Sequence, residues 1–273
     1  MVSTKVLITV KTYPTLSSKY EELVCTAGFR EDGTWIRIYP IQFRKKSYSE
    51  QYHKYDWIEL RLEKNKSDFR PESYRPYSFD DEIKIIGHID TMDNWRERKK
   101  YVLQNVHRDL ARLIAEAHDK KRCTSLAVLK PKRILDFTIE PVEREWDKDK
   151  LARLEAERRQ GKLFEQPEDP FDVVRKLPYK FSYIFEDDAG LTSRLMIEDW
   201  EIGQLYWNCL ARHEGDESKA CDDVRRKYFD DFAQTKDLHL FLGTSQIYHF
   251  VSKNPFMIIG TFHPKKDPQG MLF

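Results

Sequence analysis

Between Asn94 and Arg133 the chain carries twelve Lys and Arg residues against four Asp and Glu. A surplus of this kind suits a polyanion, because each phosphate neutralised releases condensed counterions. The same residues also satisfy an ordinary solvated helix face, where Arg112, Glu116 and Lys120 pair one turn apart. Arg96, Lys99 and Lys100 open the run and are its candidate phosphate contacts. Upstream, Trp35, Arg37 and Tyr39 alternate along one predicted strand, and Trp57, Glu59 and Arg61 along another. Such faces can stack bases on their rings and hold phosphates on their cations. Packed beneath a helix instead, the rings would be core and Arg37 a paired buried charge. The adjoining loops Arg44-Lys45-Lys46 and Arg70-Pro71-Glu72-Ser73-Tyr74-Arg75-Pro76 add guanidinium forks that match phosphate geometry. The predicted nucleic-acid site is therefore Arg37, Trp57, Arg70, Arg75, Arg96, Lys99 and Lys100, with DNA or RNA as the partner.

Other constellations are less complete. Asp80, Asp81, Glu82 and Lys84 offer the carboxylates and lysine of a metal-dependent nuclease, in a spacing that charged sequences often produce by chance. Glu198, Asp199 and Glu201 sit at a strand-to-helix junction, where capping and dipole compensation are the expected roles, with Asp199 as cap. Cys209, His213, Cys221 and His239 form an incomplete zinc set, so no metal site is assigned. A Cys/His nucleophile pair stays open, since no local signature selects one. His249 and His263, near the ends of the last two strands, are expected to face each other across a hairpin. The dinucleotide, P-loop, hydrolase-elbow and zincin signatures are absent from the sequence, which leaves the cofactor unassigned.

The elements that must position these residues follow from periodicity. Val6 to Val10 is a continuous apolar run, suited to a strand buried on both faces. Glu22 to Phe29 and Thr34 to Tyr39 flank an Asp32-Gly33 step and should pair as a hairpin. Tyr55 to Glu63 alternates, and Glu82 to Ile89 gives a further strand. The spacing from Asn94 to Lys121 predicts one long helix, followed by strands at Ser125 to Leu129 and Ile134 to Ile139. Residues 143–172 are so polar that a solvent-exposed helix and linker are expected, including Gln166-Pro167-Glu168-Asp169-Pro170. Beyond it, two strands, two helices and two strands predict a ββααββ lobe.

The expected fold is therefore α+β. A β-rich, barrel-like N-terminal lobe (1–142) is joined through the linker (143–172) to a C-terminal lobe (173–273) of antiparallel sheet with helices on one face. The 273 residues hold 47 basic and 46 acidic side chains, a near-neutral total that hides polarity. Residues 1–140 carry 27 basic against 21 acidic residues, and the remainder 20 against 25. There is no apolar run of membrane-spanning length and no secretory leader, and four scattered cysteines read as reduced thiols, which points to the cytoplasm.

Several segments carry a resemblance: Lys11-Thr12-Tyr13-Pro14, Cys25-Thr26-Ala27-Gly28, Trp35-Ile36-Arg37-Ile38-Tyr39-Pro40, Tyr55-Asp56-Trp57-Ile58-Glu59 and the Arg70 to Pro76 loop, continued by Asp199-Trp200-Glu201 and Phe241-Leu242-Gly243-Thr244. Through them most of the chain resembles an uncharacterised prokaryotic protein family without an established activity. Relatives place a Cys/His cluster in the second-lobe strands, but Glu186 to Arg194 has none, so the resemblance implies no metal here. The leading expectation is nucleic-acid binding through the basic lobe. One alternative is a nucleotide- or nucleic-acid-processing enzyme, nuclease-like and metal-dependent, at the inter-lobe cleft. Another is a protein-interaction module whose oppositely charged lobes drive self-association or partner docking.

Overall fold

A computed structural model describes residues 3–17, 21–161 and 173–267. It is a mixed structure of 28% helix and 36% strand, with a curled half-barrel sheet at the N-terminus and antiparallel sheet plus helices in the C-terminal part.

The N-terminal sheet is built from β1 (Thr4–Lys11), β2 (Thr15–Ser17), β3 (Glu21–Phe29), β4 (Trp35–Ile41), β5 (Asp56–Leu60), β6 (Leu62–Lys64), β7 (Ser73–Pro76) and β8 (Lys84–His88). Its order is β6-β7-β4-β3-β1-β5-β8, with β2 paired to β3. The strand β1 is central, between β3 and β5, which is why Val6, Leu7, Ile8 and Val10 are all fully buried. The Asp-Gly hairpin between β3 and β4 forms as its residues require: Gly33 takes φ +80°, and the Thr34 amide donates to Asp32 Oδ1 at 2.9 Å.

The long helix expected over Asn94 to Lys121 is two helices, α1 (Met92–Val102) and α2 (Leu110–His118), separated by β9 (Val106–His107). The residues at the apolar spacing are buried or partly buried, but they serve two cores. Val102 packs with Leu7, Phe29 and Phe241, whereas Leu110, Leu113 and Ala117 join Phe137, Tyr183 and Leu240. The break lets the chain cross between them. There β9 pairs in parallel with β10 (Leu126–Leu129), and Asp109 restarts helix by accepting from the Arg112 amide at 2.9 Å.

After β10 come β11 (Arg133–Pro141), α3 (Lys148–Gly161), β12 (Tyr179–Glu186), β13 (Thr192–Met196), α4 (Trp200–Arg212), α5 (Glu217–Arg225), β14 (His239–Thr244) and β15 (Phe256–Phe262). Among the described residues these strands form two further sheets, β15-β14-β10-β9 and β11-β12-β13. The ββααββ order is present, but its strands divide between the two sheets, and β9, β10 and β11 complete them from before the linker. Residues 106–141 therefore belong structurally with the C-terminal part, so the sheets do not divide at residue 142. The helix α3 is also less detached than its composition suggests: Leu154 is buried, and Lys150 Nζ donates to the Leu16 carbonyl at 2.6 Å. The predicted linker segment from Gln166 to Pro170 lies outside the described residues.

Candidate nucleic-acid interface

The seven residues singled out by sequence do not share one surface. Arg37 is only 2% exposed: it donates to Ser125 Oγ at 2.7 Å and to the Ser125 carbonyl at 3.1 Å, and it pairs with Glu72 at 3.2 Å. Its strand face lies against β14 rather than solvent, with Trp35 edge-on to Phe241 at 5.9 Å. Arg70 is buried too, its fork held by Asp68 at 2.6 Å and by the Thr244 carbonyl. Both arginines tie the N-terminal sheet to the β10–β14 pair, and neither can reach a phosphate. Trp57 is half-buried beneath Tyr101 of α1, ring centroids 5.5 Å apart. Arg75, Arg96 and Lys100 are exposed, in surface ion pairs with Glu63, Asp93 and Glu97, and Lys99 is half-buried on the same helix. Such pairs are worth ~1 kcal/mol or less and exchange readily for an incoming phosphate.

Much of the remaining basic surplus meets C-terminal acids within the molecule. Lys132 and Arg133 pair with Glu186 at 3.0 and 2.6 Å, Lys130 pairs with Asp237, and Arg108 with Asp188 at 3.3 Å. These ion pairs join the basic half of the sequence to the acidic half.

What the sequence did not single out as a unit is a cleft of about 430 Å³ where the two parts meet. The end of β1 supplies Lys11, the turn before β5 supplies His53, Lys54 and Tyr55, and α1 supplies Trp95 and Arg98. The first turns of α4 add Trp200, Glu201 and Gln204, and the end of β15 adds Thr261 and His263. Three of the segments that carry the family resemblance, 11–14, 55–59 and 199–201, border it. That shared address is the signal that could have found it.

Charge in the cleft is organised around Lys54. Its ammonium lies 2.9 Å from Asp199 and 3.0 Å from Glu201, with Asp199 fully buried and Glu201 half exposed to the opening. Asp199 caps α4, as expected, accepting from the Glu201 amide at 3.2 Å. Burial, reinforced by the Glu201 charge, lifts the Asp199 carboxyl to about 6 despite Lys54. Burial also works against the charged form of Lys54, but the two carboxylates overcome it and hold its pKa above the ordinary value. Arg98 lies 3.8 Å over the Tyr55 ring and 4.9 Å from the Trp95 ring, donating to the Ile89 carbonyl at 2.9 Å. Burial, with Lys54 beside it, lowers His263 to about 3, so its imidazole is neutral, stacked on Phe232 at 3.6 Å.

The backbone is held in unfavourable conformations at the same place. Among the described residues six non-glycine positions have positive φ, and four of them, Tyr55 (+69°), Asp93 (+50°), Asn94 (+53°) and Trp95 (+63°), lie at the cleft or lead into it. Each costs of order 1 kcal/mol or more, and strain of this kind concentrates where side chains are aimed at ligands. The buried Tyr55 hydroxyl has no hydrogen-bond partner among the described residues.

The remaining sequence candidates do not assemble. No group of three or more His, Cys, Asp and Glu able to hold a metal occurs among the described residues. In the nuclease-like set, Asp81 is held by Arg61, while Glu82 and Lys84 are exposed 3.9 Å apart. His249 and His263 sit at opposite ends of the β14–β15 pair rather than across from each other. His249 lies 3.5 Å from Cys123, whose buried thiol is pushed up in pKa, the opposite of an activated nucleophile.

Comparison with known proteins adds the following. No curated protein matches the chain. A solved structure of a murine DNA-binding protein with double-stranded DNA aligns at a TM-score of 0.30 and 9% identity, over 98% of this chain and 97% of that one. Residues 2–104 match the domain of unknown function DUF8758. No helix among the described residues is long and apolar enough to cross a membrane. Residues 106–273, well over half of the chain, match a second family model, and by that match the chain belongs to the family of the domain of unknown function DUF8757.

Proposed function

We propose that this protein binds nucleic acid, DNA or RNA, by seating an unpaired nucleotide in the inter-lobe cleft while Arg96, Lys99 and Lys100 follow the backbone outside. The observation that carries this reading is the convergence of Lys11, Lys54 and Arg98 with Trp95 and Trp200 in one cleft. Its volume falls within the roughly 300–1,000 Å³ of small-ligand sites, too narrow for a duplex. Rings take a base face, cations take phosphate, and the half-exposed Glu201 can accept from an exocyclic amine. The helix α1 joins the two regions, since Trp95 and Arg98 turn inward while Arg96 and Lys100 stay exposed.

Fluorescence anisotropy with a labelled single-stranded oligonucleotide, titrated over salt, tests it. Replacing Trp95 with Ala should weaken binding about 5- to 150-fold, the value of one stacked base. Reversing Lys99 and Lys100 to Glu should flatten the slope of log affinity against log salt by ~0.7 per lost contact. No binding, or salt-independent binding indifferent to both changes, would refute the proposal.

A protein-interaction role has one specific observation in its favour. Ile247, Tyr248, Phe250 and Val251 are exposed on the turn before β15, beside an exposed Phe69 that stacks on Phe250 at 4.9 Å.

A further inference from the structure

We propose that Lys11 is an imine-forming lysine whose amine captures an aldehyde in the cleft, the aldehyde being the ring-opened sugar of an abasic site in a nucleic-acid chain. The inference rests on the reading of the cleft as a nucleic-acid site, because that reading supplies the chain to which the aldehyde belongs.

The cleft cations are not equivalent. Lys54 is locked between two carboxylates, and the Arg98 guanidinium cannot act as a nucleophile at any ordinary pH. Lys11 has no carboxylate partner among the described residues. Its Nζ donates to the Tyr52 carbonyl at 3.1 Å and otherwise sits in an aromatic collar, 4.1 Å from the Phe43 ring centre, 5.1 Å from Trp200 and 5.8 Å from Tyr52. An apolar collar and a neighbouring cation are the two features that make a lysine amine available as a nucleophile. Both are present, and both act in the same direction: burial first, then Lys54, bring Lys11 down to about 8, with Glu201, Asp199 and Asp56 opposing. At pH 7 about one Lys11 amine in ten is then unprotonated, against roughly one in a few thousand for an ordinary lysine.

The shape suits a nucleotide that has lost its base. The sugar needs no base pocket, and Lys11, though only 7% exposed, lines the cleft with Trp95 and Trp200, rings against which neighbouring bases can stack. In the reaction the neutral amine nitrogen bonds to the aldehyde carbon, and the carbonyl oxygen takes up a proton. The nitrogen gives up one proton to form the neutral carbinolamine, the hydroxyl takes up a second proton and leaves as water, and loss of the remaining N–H proton gives the C=N bond. Glu201 also lines the cleft, and its carboxylate can relay these protons. No oxidant or reductant is consumed.

The test uses the full chain and a labelled single-stranded DNA oligomer bearing one abasic site, with sodium cyanoborohydride as the hydride donor that reduces the imine to a stable secondary amine. The expected result is one cross-linked species, mapped by peptide mass spectrometry of the wild-type protein to Lys11 and at least tenfold reduced in Lys11→Arg and Lys11→Met. An adduct spread over exposed lysines such as Lys120 and Lys121, with the Lys11 peptide unmodified, would overturn the proposal without reliance on any variant. Undiminished cross-linking in a folded Lys11→Arg protein would do the same. An oligomer with a tetrahydrofuran in place of the abasic sugar separates the two ideas. If it binds but the abasic oligomer gives no adduct, imine formation fails and the cleft reading stands; if neither binds, both fail.

Discussion

Replacing Lys54 with Met gives the sharpest test of how the cleft is held together. The ammonium is 7% exposed and is shared by Asp199, which is fully buried, and Glu201, which is half exposed. Methionine approximates the aliphatic stem and removes the ammonium together with the hydrogen bonds it donates, leaving Asp199 buried without a counter-ion. Breaking a buried ion pair from one side typically costs about 3–5 kcal/mol, which in a chain of this size lowers the melting temperature by on the order of 10 °C. The loss should depend on pH. Because the folded-state pKa of Asp199 is raised to about 6 from an ordinary 3.8, its ionisation penalises the fold. That penalty is absent below the ordinary pKa and grows as pH rises through 6. Lys54 opposes it, so the variant's deficit should be largest at pH 7 to 8 and shrink toward pH 5, where Asp199 takes up a proton. Adding Asp199→Asn keeps a side-chain oxygen for the α4 cap and removes the stranded charge, and should restore more than half of the loss. Urea unfolding of the wild type and both variants at pH 5 and 7.5 measures all of this. A deficit below about 1 kcal/mol at pH 7.5, or one equal at both pH values, would refute the reasoning.

Arg37→Met should destabilise the fold by about 3–5 kcal/mol, since it strands Glu72 in a buried network. It should leave the oligonucleotide affinity of the folded fraction unchanged, which anisotropy below the melting range checks. Gly28→Ala should cost about 3 kcal/mol, because its Cβ would stand 1.9 Å from the Leu7 carbonyl oxygen in the adjacent strand. Gly87→Ala meets nothing within 4 Å and should stay within about 0.5 kcal/mol of wild type in the same denaturation series.

Local chemistry made much of the fold legible. The continuous apolar run at Val6 to Val10 became the strand buried between two neighbours, and Asp32-Gly33 made the hairpin its backbone preferences require. Asp199 caps its helix because a short carboxylate before an amphipathic run has few better uses. The break between α1 and α2 was not legible because three- and four-residue spacing records which positions are buried, not whether one core or two bury them. The burial of Arg37 and Arg70 was not legible for a related reason: alternation places a side chain on a face, but only packing decides whether that face meets solvent.

The sequence by itself determined the element types, most strand positions, the hairpin, the cap and the polarity of charge along the chain. These depend on residues within a few positions of one another, where sterics and hydrogen bonding act without reference to the rest of the molecule. The tertiary structure alone decided where the charges went. It paired Lys130, Lys132 and Arg133 with acids from the C-terminal part, sealed Arg37 and Arg70 inside, and brought Lys11, Lys54, Trp95 and Glu201 to one cleft from positions up to 190 residues apart. Electrostatic partnership and burial depend on distance in space. Spacing along the chain constrains that distance only within a helix turn or a strand pair, so the cleft had no local signature to read.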